Sequence, residues 1–543
     1  MAEEDLIFYD QISPVFTGQK YVVPPPRLCP RCRLQRRMAF RNERKLYSRK
    51  SDLSGRPIIT NYSPDKAYKV YDQEEWWSDQ WDAMSYGKDF DFNRTFTEQF
   101  DELMHAVPHI SLINKGCENS YYTNFALYQK NCYLIFGSGN AEDCLYGKYV
   151  VGSKDCVDSL ALYSSELCYE GVASDNCYQC RYFTNSRNCT DSLMIDNCLS
   201  CKNCIGCFGL VNKEYYYFNQ FVGKEKFQTL KKEFEFLTPS KLAWLRAQFE
   251  NLKGDLPHRE SHAFGCENCT GDNMYNSKNC QVSFDIKECE DSKFLNFSPN
   301  TKNSYDIIFC APEGMEFSYN ICSCIGTNFM SNYTVWYGAN IYYSIECHNN
   351  NDLFGCVGLR NKQYCILNKQ YTKEAYEHLV GRVIEHMQKT GEWGEYLDYR
   401  LSPFGYNETV AQEYFPLQKE DTVAIGAKWH EETQEKLDGV LLNQVPEDIR
   451  TVADDILSKV FTCEVTGRPY KIVPQELAFY RKMGLPLPRC HPDQRHMDRV
   501  ARHNSYELFD RSCSRCSKPI KTTYSLERAK IVYCEGCYLK ERY

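Results

Sequence analysis

Cysteine recurs at a fixed step through the middle of the chain, and this repetition limits the folds open to it. Two series have a step of twelve residues: Cys132, Cys144, Cys156, Cys168 and Cys180, then Cys177, Cys189 and Cys201. Asn or Asp precedes most of these cysteines, and short apolar runs alternate with Gly, Ser, Asn and Asp clusters. Such spacing indicates short strands and turns, with no helical period. Strands stacked ~4.8 Å apart would align the cysteines in columns, so the sequence predicts a mainly β fold of β-solenoid-like repeats.

Two internal duplications organise the chain. The sequence Gly116-Cys-Glu-Asn119 recurs as Gly265-Cys-Glu-Asn268, and Gly209-Leu-Val-Asn-Lys213 recurs as Gly358-Leu-Arg-Asn-Lys362, both at an offset of 149. A register kept over about a hundred residues indicates two copies of one repeat. The N-terminal and C-terminal segments of the chain also match each other, at an offset of 462. In this alignment Ser51 and Ser54 correspond to Cys513 and Cys516.

The order predicted from these duplications is module, repeat, repeat, module, with connecting helices. Thr238 followed by Pro239 is typical of the start of the helix that links the repeats. The predicted domains are a degenerate zinc-ribbon-like basic module (1–75), a Trp-rich linker (76–106), Cys-rich repeat 1 (107–235), a linker helix (236–255), Cys-rich repeat 2 (256–387), a connector (388–460) and a zinc-ribbon module (461–543).

Three interpretations of the repeat cysteines remain open. Cysteine is small and often buried, so the thiols suit the interior of a narrow coil. The dense run from Cys198 to Cys207, with cysteines at every third position, approaches the spacing of an iron–sulfur site, although its last gap is one residue short and no proline follows. Disulfides are the third interpretation, and a reducing compartment disfavours them.

The clearest metal-binding pattern lies at the C-terminal end. Cys513-x2-Cys516 is followed after seventeen residues by Cys534-x2-Cys537, the spacing of a four-cysteine zinc ribbon. Four ligands leave no coordination position for a reacting water, so the predicted cofactor is structural zinc.

Further metal ligands are predicted less directly. Cys463, Cys490, His491 and His496 form a candidate second site with irregular spacing. The N-terminal module keeps Cys29-x2-Cys32 but has Ser51, Ser54, Asp72 and Glu75 in place of the four ribbon ligands. We therefore expect that module to lack the ribbon zinc. Cys29 and Cys32 then either borrow ligands from elsewhere or no longer bind a metal.

Several strings carry a resemblance to a known family. They are Asn351-Asp-Leu-Phe-Gly-Cys-Val-Gly-Leu-Arg-Asn-Lys-Gln-Tyr-Cys365, Leu401-Ser-Pro-Phe-Gly-Tyr-Asn-Glu-Thr-Val-Ala-Gln-Glu-Tyr414 and Pro474-Gln-Glu-Leu-Ala-Phe-Tyr-Arg481. With them the chain resembles cysteine-rich zinc-binding proteins of candidate-phyla-radiation bacteria, over nearly its whole length. Members sometimes carry a CaiB/BaiF CoA-transferase label, for which the sequence offers no basis. The resemblance implies two or more zinc sites and no particular activity. Ser51, Ser54, His491 and Gln494 depart from the cysteines that this family tends to have.

Charge is distributed unevenly along the chain. The formal net charge is -8, yet residues 27–50 carry ten Lys/Arg against Glu43 alone. Residues 481–530 carry twelve Lys/Arg against five Asp/Glu. Arginine-dense segments attract phosphate backbones, and a solvated face is the alternative. The predicted nucleic-acid contacts are Arg31, Arg33, Arg36, Arg37, Arg41, Arg495, Arg499 and Arg502, with Phe40, Tyr47 and Tyr524 as candidate base-stacking partners.

Location and chemistry are constrained mainly by what the sequence omits. The N-terminal residues lack the pattern of a signal peptide, and no apolar run reaches the ~18–20 residues that span a bilayer, so we expect a cytoplasmic protein with no membrane partner. The sequence contains no Gly-x4-Gly-Lys loop, Gly-x-Ser-x-Gly elbow or His-Glu-x-x-His motif. It therefore predicts a non-catalytic scaffold whose basic terminal modules bind nucleic acid or a ribonucleoprotein.

Two other functional classes stay open. One is a protein-interaction or self-assembly scaffold, with exposed tyrosines and with Trp76, Trp77 and Trp81 as anchors. The other is a cysteine-rich metal-cluster or redox protein, which an iron–sulfur cofactor would make coloured.

Overall fold

The computed structural model describes residues 2–431, 439–440 and 445–542. The chain folds into two compact units, each assembled from separate stretches of the sequence. Unit 1 comprises Met1–Ile113, Ser261–His430 and Tyr506–Leu508, and unit 2 comprises Asn114–Glu260, Glu431–Ser505 and Phe509–Tyr543. Each unit thus combines one terminal module with one repeat. Part of the predicted connector, residues 432–438 and 441–444, lies outside the described residues.

The repeat of unit 2 is a ladder of short parallel strands, here called ladder A. Its strands are Asn114–Lys115, Ala126–Leu127, Tyr133–Phe136, Leu145–Val151, Lys154–Val157, Leu160–Tyr163, Glu166–Asp175, Arg181–Thr184, Leu193–Asp196, Lys202–Phe208, Glu214–Tyr217 and Gln220–Phe221. Each strand pairs in parallel with residues twelve positions later, as in Cys156 with Cys168 and Phe183 with Ile195. Only the last pair, between Glu214–Tyr217 and Gln220–Phe221, is antiparallel.

Ladder B is the corresponding repeat of unit 1. Its strands are Ala263–Phe264, Gly271–Tyr275, Lys278–Gln281, Ser283–Lys287, Glu290–Pro299, Thr301–Lys302, Tyr305–Ile308, Met315–Glu316, Tyr319–Cys322, Ile325–Tyr333, Trp336–Tyr342, His348–Phe354, Gln363–Ile366 and Lys369–Gln370. Most paired residues are again twelve positions apart. The spacing changes locally to 14 residues where Tyr305 pairs with Tyr319 and to 11 where Tyr319 pairs with Met330. More residues lie in strands (32%) than in helices (26%), which confirms that the fold is mainly β.

The twelve-residue step is itself divided into units of three residues. In ladder A the backbone turns into the left-handed region at nearly every third residue, as at Asn176, Gln179, Tyr182, Asn185 and Asn188, with φ between 46° and 57°. Asn, Asp and Gly tolerate this conformation best, which explains why they precede the cysteines. Each twelve-residue step therefore contains four such corners.

At many corners of ladder A the next residue belongs to one buried cluster in the interior. These residues are Cys132, Ile135, Ala141, Cys144, Val150, Cys156, Leu162, Cys168, Cys177, Cys180, Phe183, Cys189, Ile195, Cys198, Cys201, Cys204, Cys207 and Leu210. The available space differs between neighbouring strands: Phe183 pairs with Gly171, and a Cβ on Gly171 would lie 2.6 Å from the Phe183 ring.

Interior thiols and hydroxyls satisfy backbone groups of the ladder. The Cys168 Sγ donates to the carbonyls of Glu166 (3.3 Å) and Cys177 (3.5 Å). Ser165 donates to the Tyr163 carbonyl and accepts the N–H of Cys177 at 3.0 Å. The same two carbonyls also accept backbone N–H groups, from Gln179 (3.0 Å) and Glu166 (2.9 Å). The interior cysteines therefore add to an already paired ladder and act as small polar packing residues.

The two terminal modules contain the same small hairpin. In unit 1 Tyr47–Lys50 pairs with Pro57–Thr60, and in unit 2 Phe509–Ser512 pairs with Pro519–Thr522, each residue 462 positions later and in the same register. A following strand pairs in parallel with the segment that precedes a repeat, Val70 with His109 in unit 1 and Val532 with His258 in unit 2. The short hairpins Val15–Phe16 with Gln19–Lys20 and Phe461–Thr462 with Pro469–Tyr470 complete the strands.

Helices pack around the ladders in both units. Those of unit 1 are Glu3–Gln11, Pro30–Met38, Gln73–Trp77, Phe96–Ala106, Lys373–Thr390, Val410–Tyr414 and Lys419–Ala424, with 3-10 turns at Ala83–Tyr86, Tyr399–Leu401 and Tyr406–Glu408. Those of unit 2 are Lys224–Glu233, Pro239–Gly254, Pro474–Met483, Pro492–Arg502 and Glu535–Arg542, with 3-10 turns at Ile449–Thr451 and Asp454–Ser458. Thr238 caps the predicted linker helix by accepting the N–H of Lys241 at 3.3 Å.

Candidate metal centre

The hairpin of the C-terminal module forms one half of a four-cysteine site. Cys513 and Cys516 occupy the turn between strands Phe509–Ser512 and Pro519–Thr522. The turn is held by the Cys513 N–H, which donates to the Lys518 carbonyl (2.8 Å), and by Ser517, whose N–H donates to the Cys513 carbonyl (2.9 Å). Ser517 has a φ of 63°, which closes this tight turn and brings both sulfurs to the same side.

The second half comes from the start of the last helix. Cys534 follows strand Val532–Tyr533, and Cys537 lies in the first turn of helix Glu535–Arg542. All four Sγ atoms lie within 4.8 Å of one another, and those of Cys516 and Cys534 are 3.7 Å apart. Within residues 2–431, 439–440 and 445–542, no other group of three or more His, Cys, Asp or Glu side chains is so close.

Backbone groups prepare one of the sulfurs for ionisation. Burial disfavours the Cys513 thiolate, but N–H groups of Cys534, Cys516 and Arg515 point at its sulfur and lower its pKa to about 6. The Cys534 N–H lies 3.3 Å from that sulfur. A hydrogen bond with Cys516 raises the pKa of Cys537 to about 12. A divalent cation would stabilise four thiolates that otherwise repel one another, so this donor set fits a metal ion.

The equivalent positions of the N-terminal module carry hydrogen bonds instead of thiols. The Asp72 N–H donates to Ser51 Oγ at 3.4 Å. In the C-terminal module the equivalent hydrogen bond runs from the Cys534 N–H to the Cys513 sulfur. Ser51 donates to the Glu75 carboxylate, which also pairs with Arg56 (3.4 Å). Burial raises the pKa of Glu75, but bonds from Ser51 and Ser54 outweigh burial and lower it. Hydrogen-bonding side chains thus stand where the other module has thiols, and the lack of a ribbon zinc in this module stays a prediction.

The second metal site predicted around Cys463 is not supported. Cys463 and Cys490 are neighbours, and burial together with the Cys463 charge raises the pKa of Cys490 to about 12. His491, however, caps helix Pro492–Arg502, with its Nδ1 accepting the Asp493 N–H at 3.0 Å. His496 is buried on that helix. In the part of the chain that the structure describes, these four side chains do not form a metal-binding group.

Cys29 and Cys32 lie together without a third metal ligand among the described residues. Their Sγ atoms are 3.2 Å apart at the start of helix Pro30–Met38. Of the two alternatives that the sequence left open, borrowed ligands are not supported.

Most of the arginines predicted to contact nucleic acid are buried in ion pairs. Arg33 and Arg37 bind Asp306 in unit 1, each with an N–O distance of 2.9 Å, and Asp306 is fully buried. Arg495 and Arg499 bind Asp158 in unit 2 in the same way. These arginines occur at matching positions 462 apart. They attach a module helix to a ladder, and in this arrangement their guanidinium groups face carboxylates of their own unit. Their contact with nucleic acid stays a prediction.

The remaining predicted arginines are also engaged within their units. Arg41 is buried and pairs with Glu43. Arg36 is half-buried beside Glu395, and Arg502 binds Glu170. Arg31 alone of the eight is exposed, with its guanidinium 5.6 Å from the Phe415 ring. Burial of a charged side chain requires such partners, and no local pattern in the sequence locates them.

The predicted aromatic contacts are only partly available at the surface. Phe40 and Tyr524 are buried, which rules them out as base-stacking residues, and Tyr47 is half-buried. Trp76 and Trp81 are buried, while Trp77 is 41% exposed. Exposed cations that the sequence prediction did not single out occur in the C-terminal module instead: Arg515, Lys518, Lys521, Lys530 and Lys540.

Comparison with known proteins adds no relative. No family model matches the chain, and the search of curated proteins finds no match. The resemblance to cysteine-rich bacterial proteins therefore stays a prediction. No helix among the described residues combines the length and apolar character needed to cross a lipid bilayer.

Proposed function

We propose that the chain is a non-catalytic zinc-binding scaffold whose C-terminal ribbon binds nucleic acid or a ribonucleoprotein. The observation that carries the zinc assignment is the convergence of four Sγ atoms within 4.8 Å. Four cysteine ligands in two C-x2-C turns are typical of structural Zn²⁺. Binding would tie the hairpin to the last helix, and it leaves no coordination position at which a water could react.

The ladders supply the rigid part of this proposal. Parallel pairing at a twelve-residue step, with a corner at every third residue, supports a β-solenoid in each unit. A solenoid interior lined by small thiols and hydroxyls needs neither iron nor disulfides for its packing. We therefore favour packed thiols over the iron–sulfur interpretation.

The nucleic-acid part of the proposal depends on exposed cations of the ribbon. Arg515 lies inside the C-x2-C turn, and Lys518 lies directly after it, both exposed. Lys521 faces solvent beside Asp510 (2.8 Å), and Lys530 and Lys540 are also exposed. Cations that reach solvent can neutralise phosphates, whereas buried arginines paired with carboxylates cannot.

Metal analysis tests the zinc assignment. We expect about one tightly bound zinc per chain, lost in Cys516→Ala and kept in Cys490→Ser. A folded C-terminal module without metal would contradict the assignment. Equal loss of zinc in both variants would contradict the choice of ligands.

A salt-titrated binding assay with fluorescently labelled mixed RNA tests the partner. Removing one phosphate contact in Lys518→Glu should weaken binding and reduce the slope of log K against log salt by about one. Lys287→Glu, which makes the same charge change at an exposed position of ladder B, is the control. Binding that is insensitive to salt, or equally weakened by both variants, would contradict the nucleic-acid proposal.

Exposed tyrosines favour a second candidate, a protein-interaction or self-assembly scaffold. Tyr121, Tyr122 and Tyr128 are 61%, 46% and 53% exposed at the start of ladder A. Tyrosine is enriched at protein interfaces. Salt-insensitive oligomers in light scattering that a Tyr121→Ser, Tyr128→Ser variant dissolves would support this candidate over RNA binding.

A further inference from the structure

Cys29 and Cys32 form a dithiol at the protein surface. Cys29 is exposed and caps helix Pro30–Met38, and Cys32 is half-buried one turn later. The Sγ atoms are 3.2 Å apart, and Cys29 Sγ accepts the N–H of Cys32 at 3.4 Å. Two sulfurs at this distance need only a small movement to form a disulfide. The more exposed sulfur is the one that an external reactant reaches first.

This pair differs from every metal-binding arrangement in the described chain. The four-cysteine site has its sulfurs grouped within 4.8 Å, whereas Cys29 and Cys32 have no third ligand at that range among the described residues. Two thiols alone do not complete the tetrahedral set of a structural zinc site.

The surroundings favour the thiolate of Cys29. Burial opposes ionisation, but N–H groups of Cys32 and Arg31 and the positive charge of Arg33 outweigh it and lower the pKa of Cys29. A hydrogen bond with Cys29 raises the pKa of Cys32. The first cysteine therefore has the character of an attacking thiolate, and the second has that of a resolving thiol.

The other cysteines give a contrasting environment. Burial raises the pKa of Cys289 to about 12 and of Cys322 to about 11, both inside ladder B. Thiols of this kind are poor nucleophiles and are inaccessible. The dithiol thus stands apart from these packed cysteines chiefly in exposure, since Cys29 is exposed and the buried ladder thiols are not.

We propose that Cys29 and Cys32 form a redox-active dithiol that exchanges with disulfides of low-molecular-weight thiols. The Cys29 thiolate attacks one sulfur of the external disulfide, and the first external thiol leaves as a thiolate that takes a proton from water. The Cys32 thiol then loses its proton and attacks the Cys29 sulfur, which releases the second external thiol. The protein dithiol is oxidised by two electrons to a disulfide, and the external disulfide is reduced to two thiols.

The test uses the full-length, zinc-loaded chain with glutathione as the external thiol. The chain is equilibrated at graded ratios of oxidised to reduced glutathione, quenched with acid, alkylated and analysed by peptide mass spectrometry. We expect a reversible Cys29–Cys32 disulfide at ratios that leave the ladder cysteines reduced. Cys32→Ser should accumulate a mixed disulfide with glutathione at Cys29. Cys29→Ser should lose that adduct and the intramolecular disulfide.

Alkylation rates of the unmodified protein provide a measurement that needs no variant. Cys29 should react with iodoacetamide faster than half-buried Cys117, whose pKa is raised by burial. The proposal is overturned if Cys29 reacts no faster than Cys117 or if the Cys32→Ser variant forms no adduct. It is also overturned if added zinc protects both cysteines in a stoichiometric complex, since the pair would then bind metal.

Discussion

Asp158→Asn should destabilise unit 2 strongly, because this carboxylate holds two buried guanidinium groups. Arg499 donates to Asp158 at 2.8 Å, and Arg495 donates to its other oxygen. The side chains of Asp158 and Arg499 are fully buried, and that of Arg495 is 6% exposed. Asparagine has nearly the same shape and tolerates the local φ of 56°, so the substitution removes the charge and leaves the corner in place.

The expected magnitude follows from the bonds that are lost. Hydrogen bonds to charged groups contribute about 1.5–3 kcal/mol each, and removing one partner of a buried ion pair costs about 3–5 kcal/mol. Two neighbouring carboxylates remain, Glu476 at 3.2 Å from Arg495 and Glu170 at 3.2 Å from Arg499. They retain part of the stabilisation, so we expect about 3 kcal/mol, the lower end of that range.

Asp155→Asn is the matched control. Asp155 lies three residues earlier at another corner, with a φ of 50°, and pairs with Lys482 at 3.3 Å on the surface. A partly exposed pair of this kind contributes at most about 1 kcal/mol. The two variants make the same chemical change on the same coil and differ in the burial of the carboxylate.

Urea unfolding followed by hydrogen exchange and mass spectrometry measures the effect by unit. Peptides of ladder A should lose protection at lower urea in Asp158→Asn, while peptides of ladder B serve as the internal reference. Equal and small shifts in Asp158→Asn and Asp155→Asn would refute the view that Arg495 and Arg499 are structural. In that case Arg499→Met should weaken RNA binding without changing stability.

Three further predictions address the metal, a buried histidine and the ladder corners. Chelation, or Cys534→Ala, should unfold the C-terminal hairpin and raise its hydrogen exchange, whereas Cys463→Ser should leave the metal content unchanged. Burial and the charge of Arg360 lower the pKa of His348 to about 3, so the unfolded chain binds a proton below pH ~6.5 that folded unit 1 does not. The free energy of unfolding should therefore be greatest above pH ~6.5 and should fall by about 2 kcal/mol by pH ~5. Urea unfolding followed by Trp fluorescence at a series of pH values measures this dependence, and His348→Phe should abolish it. Asn188 lies at a corner with a φ of 54°. Asn188→Val should lower the free energy of unfolding by about 1–2 kcal/mol, and Asn188→Gly should lower it less, because glycine tolerates a positive φ and valine does not. The midpoint of urea unfolding measures both changes.

The ladder could be predicted because cysteines recur in the sequence at the same spacing as the paired strands. Cys156 and Cys168 differ by twelve, and the structure pairs them directly. The underlying step of three was missed, although every cysteine from Cys177 to Cys207 fits it. The signal was available: Asn, Asp or Gly is favoured at a corner, and cysteine often occupies the next, buried position. The two series at a step of twelve therefore sample that shorter period.

The arginines show where sequence reasoning stopped being informative. A run such as Arg33 and Arg37 has the same composition whether it faces phosphate or a buried carboxylate. The difference lies in Asp306, which is 273 residues from Arg33 and could be paired with it only after folding. Long-range ion pairs leave no local pattern, whereas the two C-x2-C turns are local and could be predicted.

The two related hairpins differ in the side chains that hold them, which bears on why we propose a metal for only one of them. The buried apolar core of the C-terminal module consists of Cys513, Ile520, Tyr524, Ala529, Val532 and Cys534, so two of its six members are the proposed ligands. Such a core is small for a hairpin to depend on burial alone, and the proposed metal would supply further stabilisation. In the N-terminal module Trp76 is fully buried directly after Glu75, and its indole donates to the Pro108 carbonyl at 3.0 Å. The C-terminal module also buries a large side chain at the matching position, Tyr538. What distinguishes the two hairpins is therefore the Ser51–Glu75 hydrogen bond in one and the four clustered thiols in the other.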